Sequence, residues 1–218
     1  MDWLGTAPPA LRREAHFGDR VVACFEDRPK SLSALFDGAV ARNPHGEAVV
    51  CGETRLTYAA LDREVARLAA ALAAEGVAAG DRVGMLIGNR PDFVTLIFAL
   101  ARIGAVAVPM GLRLQAPEIA HVLNDCGAGL LIHEAELADR LPDPGETPAL
   151  AKRWTVGGPA GTSSLDGILA THAAAPVPPP VPVAEEDIAA ILYTSGTTGR
   201  PKGAMLTHLG IVHSSMVY

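Results

Sequence analysis

The sequence predicts an α/β fold: a mostly parallel sheet with flanking helices. Between residues 82 and 133, apolar runs of strand length alternate with stretches of helical period. Hydrophobic residues make up 49% of the 218, yet aromatics reach only 5%, so alanine-rich helices must pack closely on that sheet. A further strand-like run, 188–193, feeds a loop dense in Gly, Ser and Thr.

Residues 1–30 have no clear period and read as an irregular lead-in. Leu32, Leu35, Phe36 and Ala39 recur at helical spacing, with Ser31 or Ser33 as the cap. Segments 47–51 and 54–56 flank Gly52 as two short strands around a turn. Thr57 is placed to cap the next helix, with Leu56 and Leu61 as a hydrophobic staple. The stripe Leu61, Val65, Leu68, Leu72 follows i, i+4, i+7, i+11, and Gly76 stops it. Beyond Gly80-Asp81 the pattern reads strand 82–87, helix 92–103, strand 105–108, helix 117–125 and strand 129–133. Segment 141–187 is rich in Pro and Gly and ends in PVPPPVPV (176–183), an extended spacer leading to the strand before the loop.

That loop is Thr194, Ser195, Gly196, Thr197, Thr198, Gly199, closed by Arg200, Pro201, Lys202 and Gly203. Glycines let backbone N–H groups approach an anion, and the hydroxyls add donors. Lys202 brings a mobile positive charge suited to outer phosphates. The loop reads as a nucleotide-phosphate cradle. A Walker loop is excluded, because Pro201 precedes the lysine and Gly203, not Ser or Thr, follows it. A plain flexible linker would not be framed by an apolar run on each side and a Pro-Lys-Gly closure.

Residues 193–203 resemble the signature of the adenylate-forming (AMP-binding) superfamily, an aromatic followed by TSGTTGxPKG. The likeness extends upstream from about residue 31 through 56–89, 91–102 and GAVAVPM (104–110). It implies the N-terminal portion of the large domain of an adenylate-forming enzyme, covering 31–218, with the C-terminal domain absent. The implied activity is ATP-dependent conversion of a carboxylic acid to an acyl-adenylate and then an acyl-CoA thioester. ATP, Mg²⁺ carried with it, and coenzyme A are the implied cofactor and co-substrates. Thr194, Ser195, Thr197 and Thr198 would supply hydroxyls, Gly196 and Gly199 backbone access, and Lys202 charge; no catalytic residue is assigned. Peptide-synthetase adenylation domains usually carry a Y-V-P-[LI]-D-P-like run where this chain has VPMGLRLQAPEIAHVL (108–123). An acyl-CoA ligase acting on a fatty or aromatic acid is therefore favoured over an amino-acid-activating domain. Measured against the family, the chain stops early, as a fragment or as one part of a split enzyme whose C-terminal part is a separate chain. A non-catalytic remnant is the alternative.

A net charge of −6 supplies no electrostatic footprint for nucleic acid. Cys24, Cys51 and Cys126 lack C-x-x-C spacing, which points to a reducing compartment and away from a disulfide scaffold or zinc site. The N-terminus lacks a signal-type apolar core and 93–110 is broken by Arg102, so a cytoplasmic protein without a transmembrane segment is expected. His121 and Asp125 lie four apart and read as a surface i, i+4 contact rather than a catalytic pair. Ser195 lacks the G-x-S-x-G elbow of a hydrolase, and Ser163 and Ser164 read as turn residues. His208 and His213 could near a ligand, start a helix or lie in the core. Glu185, Glu186 and Asp187 read as a solvated turn, and no metal site is assigned. From these expectations the chain alone should show no carboxylate-dependent ATP–pyrophosphate exchange; exchange above background would overturn that.

Overall fold

The structure is a computed structural model and describes residues 10–159, 161–194 and 200–217. The lead-in expected to be irregular is instead an antiparallel hairpin, β1 (Leu11–His16) paired with β2 (Arg20–Phe25) through a turn at Phe17 and Gly18 with positive φ. Its strands hide from a hydropathy reading because Arg12, Arg13 and Glu14 interrupt the alternation. Behind the hairpin, the side chain of Arg28 is fully buried. It donates to both oxygens of Glu14 (3.0 and 2.8 Å), both oxygens of Glu185 (2.6 and 3.0 Å) and the Phe25 carbonyl (2.7 Å).

Helix α1 (Leu32–Arg42) begins at Ser31, whose Oγ accepts from the Ala34 N–H at 3.1 Å. The short hairpin of β3 (Glu47–Cys51) and β4 (Thr54–Thr57) turns at Gly52. Thr57 then caps α2 (Tyr58–Ala74) by accepting from Ala60 N–H. Gly76, at φ 89°, stops it in the left-handed turn only glycine enters freely, and Val77 N–H returns to the Leu72 carbonyl. The expected stripe Leu61, Val65, Leu68, Leu72 is fully buried.

From there strands and helices alternate: β5 (Arg82–Leu86), α3 (Pro91–Arg102), β6 (Val106–Pro109), α4 (Ala116–Cys126) and β7 (Leu130–Glu134). The predicted spacer over 141–187 is only partly a spacer. It supplies β8 (Lys152–Val156) and α5 (Leu165–Thr171), and the extended run before the next strand covers residues 176–184. There, Val181 N–H donates to the Arg102 carbonyl, so even this run is docked. The chain closes with β9 (Ile188–Thr194), β10 (Lys202–Thr207) and α6 (His208–Ser215).

Six strands form one sheet in the order β10-β9-β6-β5-β7-β8, parallel except for β10 at the edge. Both faces of the central strands are covered, while Leu192 of β9 and Met205 of β10 stay exposed at the edge, and the period of two along each strand sorts side chains between the faces. Val83, Met85, Ala107, Leu130 and Ile132 pack toward α1, α2, α3 and α5. Leu86, Val108 and Leu131 pack toward α4 through Ile119, Val122 and Leu123. Gly84 faces α4 because a Cβ there would lie 2.9 Å from Leu123 Cδ2. Among the described residues, no helix is long and apolar enough to cross a membrane.

Leu72 is entirely buried between α2 and the sheet. Leu72→Ala should lower stability by about 2–5 kcal/mol through lost burial and a residual cavity, measured by urea unfolding.

Candidate functional site

β9 brings the chain to the C-terminal edge of the parallel strands, and β10 returns antiparallel beside it. Thr194 faces Lys202 across the pair, and Gly203 faces Tyr193. The Gly/Ser/Thr loop therefore spans the mouth of a β-hairpin. Ser195, Gly196, Thr197, Thr198 and Gly199 lie outside the described residues; Thr194 and Lys202 are described, and both are exposed. Lys202 opens a strand, not a helix, which agrees with the exclusion of a Walker loop.

The base of this hairpin is built from residues to which sequence reasoning assigned no catalytic or ligand-binding role. Period two along β9 turns Ile191 and Tyr193 to the α4 side of the sheet. The Tyr193 ring crosses the pair over Gly203, where a Cβ would sit 3.0 Å from Tyr193 Cζ and 2.8 Å from Ile191 Cγ2. The Tyr193 hydroxyl donates to Asp125 Oδ2 at 2.5 Å. Burial pushes the phenol pKa up and the Asp125 carboxylate adds to the rise, so the hydroxyl stays protonated. One turn earlier on α4, His121 Nε2 lies 2.9 Å from the Pro201 carbonyl, and because a carbonyl only accepts, that nitrogen carries the proton. The His121 and Tyr193 rings meet edge to face at 6.4 Å.

His121 and Asp125 thus share a helix face as expected, but each bonds to an end of the loop rather than to the other. An open cleft of about 670 Å³ lies between α4 and the loop's return, lined by Glu118, His121, Asp125, Arg200 and Pro201 among others. With Glu118 and Asp125 in its wall the cleft is a poor host for phosphate. The cationic side of this region is Lys202 and Arg200, both exposed.

Other candidates resolve as structural parts. His208 opens α6, is 2% exposed, and accepts from Leu32 N–H at Nδ1. His213 stacks on Phe25 at 4.3 Å. Ser164 caps α5. The acidic run is a turn with Glu186 and Asp187 exposed, as expected, but it is not merely solvated: Glu185 binds Arg28, Glu186 binds His16, and Asp187 accepts from Ala184 N–H. Burial raises the Glu185 carboxyl pKa, but Arg28 and Lys30 override it and hold it below the usual range. Glu14, His16 and Cys24 bring possible ligand atoms within 4.8 Å of one another, yet both Glu14 oxygens already bind the Arg28 guanidinium, which would repel a cation. Strand order reverses beside β5, a usual place for a ligand crevice. At that point the Gly88 N–H donates to Glu134 and Leu112 lies against Gly88.

The AMP-binding enzyme family matches residues 36–218. Feruloyl-CoA synthase of Amycolatopsis sp is 48% identical over 166 residues, 76% of this chain and 31% of that protein. A long-chain-fatty-acid–CoA ligase of Mycobacterium tuberculosis is 39% identical over 166 residues, 75% of this chain and 31% of that protein. Among solved structures, anthranilate CoA ligase AuaEII in complex with anthranoyl-AMP superposes with a TM-score of 0.74 at 27% identity, over 82% of this chain and 35% of that one. The chain spans about a third of the length of the curated relatives it matches.

Burial holds the His208 imidazole pKa below its ordinary 6.5, against the pull of Asp187, so the folded chain resists a proton that the unfolded chain accepts. Stability should be full above the unfolded value and fall as pH drops below it, until the folded value is passed. Thermal melts between about pH 5 and 7 should show this fall. It should be smaller in His208→Gln, with the remainder from His133, also held down by burial.

Proposed function

This chain belongs to the AMP-binding enzyme family, and on that premise we propose that it is the phosphate-gripping part of an acid–thiol ligase. In that reaction a carboxylate attacks the α-phosphate of ATP, pyrophosphate leaves, and the thiol of coenzyme A displaces AMP from the acyl-adenylate. The observation that carries the reading is the hairpin mouth. A hydroxyl at Thr194 and an ammonium at Lys202 face each other, exposed, at the C-terminal end of a parallel sheet. Lys202 and the hydroxyls of Thr194, Ser195, Thr197 and Thr198 would engage the β- and γ-phosphates of MgATP, with Gly196 and Gly199 offering backbone N–H groups. Held there, the departing pyrophosphate is positioned and its growing charge is offset, which lowers the barrier to the first step.

The acid is read as fatty or aromatic, supported by relatives that act on ferulic and long-chain fatty acids and by the 108–123 segment. The acid, the adenine and the thiol would be held by the rest of the enzyme, in the same polypeptide or in a separate C-terminal chain. A cytoplasmic location fits three cysteines that are all free. Calorimetric titration of the chain with MgATP tests the phosphate role. Lys202→Ala should weaken binding by about tenfold, the size of one charge-assisted contact, without changing the melting temperature. Equal affinity in the two proteins would overturn the assignment.

A further inference from the structure

We infer that α4 is the positioning element of the phosphate loop, with His121 and Asp125 holding its two ends at a fixed separation. The inference rests on the reading of the loop as a phosphate site. Asp125 receives the Tyr193 hydroxyl immediately before Thr194, and His121 donates to the Pro201 carbonyl immediately before Lys202. Each contact therefore sits one residue away from a described residue that would touch phosphate. The two anchors are four residues apart on one helix, so their spacing is set by the helical rise and not by the loop.

The helix is itself immobilised. Its first turn has a reciprocal capping box between Gln115 and Glu118. Ile119, Val122 and Leu123 are buried against the sheet. At its end, Arg82 of β5 donates to the carbonyls of Cys126 (2.7 Å) and Gly127 (2.9 Å). The hairpin has less support of its own. β10 is the edge strand, paired with β9 alone, and Pro201 has no N–H with which to extend the ladder. Gly203 completes the device, since any side chain there would displace the Tyr193 ring that carries the hydroxyl to Asp125.

His121 and Asp125 are positioning residues, not catalytic ones: both act through Tyr193 and Pro201. The test is hydrogen exchange of the amides between 193 and 203 in the whole chain, with titration of inorganic tripolyphosphate alongside. His121→Ala and Asp125→Ala should each speed exchange there by about fivefold and weaken tripolyphosphate binding by a similar factor, the scale of one hydrogen bond. His121→Gln, which keeps an N–H donor, and Asp125→Asn, which keeps an acceptor oxygen, should restore both. Exchange across 193–203 unchanged in the alanine variants, or accelerated equally in the amides of β5, would overturn the inference. Lys202→Ala separates the two readings: if it leaves tripolyphosphate affinity intact, the phosphate role fails, while the exchange data still decide whether α4 holds the hairpin.

Discussion

A parallel sheet covered on both faces has nowhere to put chemistry except the ends of its strands. That constraint governs this molecule. Val83, Met85, Leu86, Val108, Leu131 and Ile132 are spent on packing because helices lie above and below them. The same crowding makes Gly84 a glycine and fills the helices with alanine, including Ala69, Ala70 and Ala71 on the buried side of α2. What polar function remains is displaced to the strand ends. The loop after β9 lies at one such end.

The end of β9 is steadied at its other extremity by charge. Arg28 is enclosed by Glu14 from the N-terminal hairpin and Glu185 from the approach to β9, which ties together parts of the chain separated by most of its length. Desolvating such a group is costly, and a buried ion pair of this kind often contributes little net stability. Its effect is on arrangement. With both Glu14 oxygens and both Glu185 oxygens engaged, the hairpin has one seating on the body of the protein. His16 adds a further contact, through Glu186.

Much of this was legible beforehand, and the failures share a cause. The α2 stripe, its cap at Thr57 and its stop at Gly76 follow from local spacing, and the structure has each of them. The strands from β5 to β7 follow from apolar runs that a doubly covered sheet requires. Missed were β1 and β2, whose Arg12, Arg13 and Glu14 break the apolar alternation, and β8 and α5, whose short apolar runs sit among prolines and glycines. At the site, the loop motif pointed to Thr194 and Lys202, but nothing local reveals that His121 meets Pro201 eighty residues later. A spacing of four says only that two residues share a helix face; tertiary packing decides what that face meets. Glu185 shows the same limit, since it looks solvated beside two further acids until the buried Arg28 is placed between it and Glu14.

Phosphate loops that end in a helix hold their ligand partly through the macrodipole, roughly half a positive charge fixed in the backbone at the helix N-terminus. Here the return element is a strand, and strand dipoles largely cancel. No helix dipole comes from the return element, and a described charge at its start is the Lys202 ammonium on a four-carbon stem. Under the proposed reading, such a charge would follow a bound phosphate without any movement of the sheet. It is also open to solvent ions, which screen exposed charges over about 8 Å at physiological ionic strength. Under the proposed reading, a hairpin in place of a helix would make the hold on phosphate adjustable and sensitive to salt.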